Sequence, residues 1–162
     1  MSDVFILNTS PLIVLGKSDL LKVLSPLAQE WVVPENVISE VEVQRKIDCF
    51  LDNLSAKAKV KRVGITRIHS LVAAWDLGVG ESEVLSLGLE NPGATVVLDD
   101  LQARKCASVL GVTLTGTLGL LLMAKRKGYI KSIKLEIAKL IENGIYVSPS
   151  LLRRILSKIG EA

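Results

Sequence analysis

Short apolar runs alternate along the chain with longer stretches in which apolar residues recur every three or four positions, the pattern of parallel strands joined by crossover helices. Val4-Phe5-Ile6-Leu7 reads as a buried strand ending at Asn8-Thr9-Ser10-Pro11, where a cap-type residue followed by proline marks a helix start. Helix is expected over 12–24, with a break near Gly16. Trp31-Val32-Val33 fits a short strand or the approach to the next helix. Pro34-Glu35 then opens one long helix with Val37, Ile38, Val41, Ile47 and Leu51 as its apolar positions.

Lys57 to Arg62 reads as a basic connection, and Thr66 as the cap of a helix carrying Ile68, Leu71, Val72 and Trp75, with Gly78 as its stop. A further helix covers 81–89. Asn91-Pro92-Gly93 is a turn into a second strand, Ala94-Thr95-Val96-Val97-Leu98, which delivers Asp99 and Asp100 at its carboxyl end. Helices over 101–110 and 118–127 flank a short strand, Val112-Thr113-Leu114, and Gly128 stops the second of them. Helices over 132–143 and from Ser148-Pro149 onward complete the chain. No repeat, low-complexity tract or linker interrupts the pattern, so 1–162 is expected to be one α/β domain.

A chain of 162 residues that is 49% hydrophobic can bury a core without disulfides. Cys49 and Cys106 form no CxxC pair and stand beside apolar residues, so both are expected as buried thiols. The N-terminus carries no basic run before its apolar stretch, and no apolar run nears the ~20 residues that span a bilayer. A cytoplasmic protein without membrane association is therefore expected. The formal charge of +3, from 20 basic and 17 acidic residues, permits nucleic-acid binding without pointing to it. With only 4% aromatic residues the sequence shows no stacking platform for bases, so a nucleic acid would be gripped mainly by its phosphates.

In an open α/β sheet, ligands gather beyond the carboxyl ends of the strands, which directs attention to Asn8, Asp99, Asp100 and Thr115. Asp99-Asp100 concentrates negative charge where a hard cation could offset it. One of the two also suits helix capping, with Arg104 four residues beyond Asp100 as an ion-pair partner. Glu81 and Glu83 stand in the first turn of their helix, where the macrodipole alone favours acids. Glu40 interrupts an apolar side of its helix, so it needs a partner, a metal, or a path to water. The backbone of Thr115-Gly116-Thr117-Leu118-Gly119 could cradle a phosphate, although no lysine follows in the P-loop position. Gly78-Val79-Gly80 lacks the strand that precedes a dinucleotide fingerprint, and His69, with no second histidine, reads as surface or structural.

Together these segments resemble the PIN-domain family. Asn8-Thr9-Ser10-Pro11-Leu12-Ile13, Gly80-Glu81-Ser82-Glu83, Leu98-Asp99-Asp100 with Ala103-Arg104, and Gly116-Thr117-Leu118-Gly119 are similar to a prokaryotic subfamily related to toxin ribonucleases. The resemblance implies a three-layer α/β fold, a central parallel sheet flanked by helices, with acids from separate segments meeting at one end. Glu40 matches the family's second acid, Glu81 its third and Asp99 or Asp100 its fourth, with Glu83 open as an alternative to Glu81. Thr9 matches the small hydroxyl residue after the first acid, and Arg104 and Thr117 fall in matching segments as supporting residues. The family's first acid is normally aspartate, and this chain has Asn8. An amide oxygen can ligate a cation but brings no charge and takes no proton from water at neutral pH. Asp3 is no substitute, since the intervening strand sets it roughly 16 Å away.

The resemblance further implies Mg²⁺ or Mn²⁺ held by Asn8, Glu40, Glu81 and Asp99 or Asp100, and hydrolysis of an RNA substrate in which the bound cations activate water and offset charge on the phosphate. It also implies the toxin half of a toxin–antitoxin pair, with an antitoxin protein as partner, and a homodimer or higher homo-oligomer. Lys17, Lys125, Arg126 and Lys127 could steer RNA. The competing reading is a catalytically weak or inactive PIN-like module that binds RNA or a protein. A phosphoacceptor receiver domain also clusters acids at strand ends, but it would want a lysine where Thr115-Gly116-Thr117 stands.

Overall fold

The computed structural model describes residues 3–64 and 67–161. In chain order the elements are β1 (Val4–Leu7), α1 (Thr9–Lys17), α2 (Leu21–Leu24), a 3-10 turn (Ser25–Leu27), β2 (Glu30–Pro34), α3 (Glu35–Glu42), α4 (Ile47–Leu54) and β3 (Lys59–Val63). They continue with α5 (Ser70–Ala73), α6 (Val79–Glu90), β4 (Thr95–Val97), α7 (Leu101–Leu110), β5 (Leu114–Thr115), α8 (Thr117–Arg126), α9 (Lys134–Glu142) and α10 (Pro149–Lys158). The strands form a parallel five-stranded sheet in the order β3-β2-β1-β4-β5, flanked by helices as a three-layer α/β fold, the expected class.

β1 is central because it has no polar side to show water: Phe5, Ile6 and Leu7 are all buried, the signature of a strand covered on both faces. Phe5 meets Trp31 of β2 edge to face at 5.1 Å, and the Trp31 indole donates to the Ser25 carbonyl at 3.0 Å. α6 lies against β1, β2 and β4 and closes the core over the middle of the sheet.

Several elements differ from the sequence expectation. The long helix after Pro34 is two helices, α3 and α4, separated at 43–46. At about 100° per residue, Val41 and Ile47 would face different directions on one continuous helix. The break lets both bury, with Val41 at 0% and Ile47 at 1% exposure. α4 turns Ile47, Phe50, Leu51 and Leu54 toward the core, which leaves Cys49 exposed, contrary to expectation. Cys106 is buried as expected, and burial pushes its thiol pKa up. The basic stretch expected as a connection is the edge strand β3. Lys59, Lys61 and Arg62 are exposed along it, and charge on an open edge discourages pairing with another chain. Arg62 pairs with Glu35 at 3.2 Å, and that carboxylate raises the guanidinium pKa further.

The first helical break falls at Asp19, in the left-handed region at φ 57, rather than at Gly16. Gly16 stays helical with the Phe50 ring against it, where an added Cβ would lie 2.4 Å from the ring. Thr66 lies outside the described residues. α5 is capped instead by His69, whose Nδ1 accepts from the Leu71 N–H at 3.1 Å, a structural role for the single histidine. Gly78 precedes α6 as its N-cap rather than stopping a helix before it. Among the described residues no helix is long and apolar enough to cross a membrane.

Candidate active site

Strand order decides where the site lies. From β1 the chain steps outward to β2 and β3, then returns to β4 on the other side of β1. Crossovers that diverge in this way open a crevice beyond the carboxyl ends of β1 and β4. Asn8 follows β1, and Asp99 follows β4 after Leu98. Leu7 is in register with Val97, and the Asn8 N–H donates to the Val97 carbonyl at 3.3 Å, so the two chain segments leave the sheet side by side.

Two carboxylates border this crevice in similar settings. Glu40 Oε2 accepts from Thr9 Oγ1 at 2.6 Å, and Oε1 accepts from the Gly80 N–H at 3.1 Å. Asp99 Oδ1 accepts from the Thr117 N–H at 2.9 Å, and Oδ2 accepts from Thr117 Oγ1 at 2.5 Å. Each acid thus rests on the first turn of a helix, α6 or α8, where unsatisfied N–H groups favour an anion. A threonine hydroxyl fixes its second oxygen. Glycine makes both approaches possible: a Cβ on Gly80 would lie 2.8 Å from Glu40 Oε1, and one on Gly116 2.8 Å from Asp99 Oδ1. The Thr117 N–H, expected among those that could cradle a phosphate, is therefore taken by Asp99.

The other expected residues have different partners. Asp100 caps α7, accepting from the Ala103 N–H at 3.0 Å, and Arg104 donates to the Leu98 carbonyl at 2.7 Å rather than pairing with Asp100. The Arg104 guanidinium also lies against Gly116, 2.9 Å from where a Cβ would stand, which puts positive charge beside Asp99. Glu83, 1% exposed, accepts from the Asn36 N–H at 3.1 Å and from Asn36 Nδ2 at 2.7 Å, tying α6 to α3. Glu81 turns back over Gly78, with Oε2 2.6 Å from where a Cβ would be. The structure thus joins Thr9, next to Asn8 in sequence, with Glu40 and joins Thr117 with Asp99, gives Asp100 and Glu83 structural work, and turns Glu81, expected as the third acid, over Gly78. Sequence reasoning missed Gly80 and Gly116 as seats for the acids, and Asn36 as the partner of Glu83. A glycine beside each candidate acid or threonine was the available signal for the first two; nothing local marked Asn36. A groove of about 840 Å³, lined in part by Ser10, Asp99, Arg104 and Tyr146, opens from the crevice.

Residues 4–161 match a family model described as DUF3368, PIN domain. The chain belongs to the PIN-domain family. Among solved structures, this PIN domain is similar to a PilT N-terminus domain protein from the hyperthermophilic archaeon Sulfolobus solfataricus P2. The TM-score is 0.52 at 18% identity, covering 75% of this chain and 92% of that one. No curated protein matches the sequence. PIN domains are generally nucleases and typically depend on a divalent metal.

Whether this PIN domain's residues suit such a cation turns on Asn8. The side chain is 2% exposed, makes no capping bond to α1, and leaves Oδ1 buried without a hydrogen-bond partner among the described residues. An orphaned buried oxygen costs roughly 1–3 kcal/mol, which a cation would relieve. Glu40 and Asp99 add hard oxygen donors with a lone pair to spare at each atom. The donors therefore fit Mg²⁺ or Mn²⁺ in kind. Among the described residues no three His, Cys, Asp or Glu side chains lie close enough together to hold a metal. The fit thus depends on an amide oxygen assisting the carboxylates.

Proposed function

We propose that this PIN domain is a metal-dependent ribonuclease whose cation is held by Asn8, Glu40 and Asp99. The observation that carries the proposal is the Asn8 Oδ1, without a hydrogen-bond partner among the described residues and buried where β1 leaves the sheet between β2, which leads to Glu40, and β4, which leads to Asp99. A bound Mg²⁺ or Mn²⁺ would activate water and offset charge on a phosphodiester. Thr9 and Thr117 fix the rotamers of the two carboxylates, so the donors need little reordering on binding. Arg104, beside Gly116, offers positive charge to a phosphate oxygen in the adjoining groove. The resemblance of the strand-end motifs to toxin ribonucleases supports a cytoplasmic toxin acting on RNA, held by an antitoxin and assembled as a homo-oligomer.

Asn8 also favours a second reading. With an amide where the family's first acid belongs, and with both acids already hydrogen-bonded, the domain could bind RNA or a protein without cutting. Incubating labelled single-stranded RNA with the protein and Mn²⁺, with and without chelator, separates the two. Cleavage that chelator abolishes supports the nuclease. Intact RNA at high protein concentration and saturating Mn²⁺ leaves the binding module.

A further inference from the structure

Next to the groove beside Asp99, α8 and α10 enclose a second one of about 650 Å³. Its floor includes Leu122, Ile155 and Ile159, each partly open to solvent. Its rim carries Arg126, Arg154 and Lys158, all exposed. Lys125 also lines the groove, but its ammonium is committed to Glu161 at 3.2 Å and to the Lys131 carbonyl. The other three cations have no acidic partner among the described residues.

We propose that this groove docks an acidic amphipathic helix of a partner protein. Its occupant has to satisfy an aliphatic floor and a cationic rim together. RNA would neutralise the rim but would set sugar and phosphate against leucine and isoleucine, and no aromatic side chain lines the groove to stack a base. A purely apolar segment would fill the floor and leave three cations facing it unpaired. A helix with aliphatic residues at i, i+3, i+4 and i+7, flanked by Asp and Glu, meets both demands by the helix-in-groove mode, with charge setting its orientation. α10 spans 10 residues, so about three turns of such a helix would match its length. Leu151 lines both this groove and the one beside Asp99, so a docked helix would neighbour the candidate active site. The inference does not depend on the ribonuclease reading.

The test is fluorescence anisotropy of a labelled synthetic helical peptide, with leucines at i, i+3, i+4 and i+7 and glutamates flanking them, titrated with the full chain. Saturable binding is expected, weakened at least tenfold by the paired substitutions Arg154→Glu and Lys158→Glu. It should also weaken with Ile155→Ser, which leaves the rim intact. A peptide with lysines in place of the glutamates should regain binding to the charge-reversed protein, which also shows that this variant is folded. Equal binding of the glutamate peptide to parent and charge-reversed protein would overturn the proposal. So would binding of a single-stranded RNA in place of the peptide, lost in the same charge-reversed variant.

Discussion

Asn8 keeps a buried oxygen without a donor among the described residues, while Glu40 and Asp99 are each held by two. Replacing it by aspartate adds one charge at nearly constant size. At an effective dielectric near 20, such a charge about 4 Å from a divalent cation is worth several kcal/mol before desolvation and repulsion by the neighbouring acids are subtracted. A net gain of ~1.4 kcal/mol is enough for tenfold. Isothermal titration should therefore show Asn8→Asp binding Mn²⁺ about tenfold more tightly, and unchanged affinity would remove Asn8 from the site. Glu83 makes the opposite prediction. Glu83→Ala strands two Asn36 donors and should cost roughly 1.5–3 kcal/mol in urea unfolding, while Mn²⁺ affinity stays at the parent value. Asn8 and Asp99 stood out because ligands of a parallel sheet gather at strand ends, Glu40 because it interrupts an apolar side of its helix, and Thr9 and Thr117 only through the resemblance to the PIN family; the structure pairs the two threonines with Glu40 and Asp99. The partner of Glu83 did not stand out, since Asn36 lies 47 residues away and such a pairing leaves no local sign in the sequence.

At the level of elements, α9 shows how a helix can be capped from a distance. No side chain beside its start caps it, and Glu161, beyond α10, accepts from the Ile133 N–H at 3.1 Å and the Lys134 N–H at 3.2 Å. With the Ser132 hydroxyl as the largest influence, these donors lower the Glu161 pKa to about 2 from an ordinary 4.5. Because the folded-state value is the lower one, the stabilisation is complete above about pH 4.5. It is lost as pH falls toward 2, where the unfolded chain takes up its proton first. Urea midpoints for Glu161→Gln should thus fall below the parent at about pH 6, and the gap should narrow steadily from about pH 4.5 and close near pH 2. A gap that widens in acid would contradict the capping role. Strands and helices with an uninterrupted apolar period were readable from sequence, as β1, β4, α7 and α8 show. The α3–α4 break and strand β3 were not. The first follows from what the core asks of Ile47, and the second hides its pairing behind side chains charged to protect an edge.

For the molecule as a whole, alternating apolar runs and amphipathic stretches indicated a parallel sheet, but strand order is a property of long-range pairing that periodicity does not record. That order creates the crevice by placing β4 beside β1. A cation bound there stabilises the folded state alone, so Mn²⁺ at a hundred times its dissociation constant should add about 2.7 kcal/mol. The thermal midpoint of the parent should rise accordingly, and that of Asn8→Ala should rise less. An equal rise in both would place the cation elsewhere. The most direct measurement is anomalous diffraction from a crystal soaked in Mn²⁺. The account predicts a peak at the β1–β4 crevice within about 2.5 Å of Asn8 Oδ1 and of a carboxylate oxygen of Glu40 or Asp99. An empty crevice in a crystal with Mn²⁺ bound at another face, or a peak there that Asn8 Oδ1 does not touch, would contradict it.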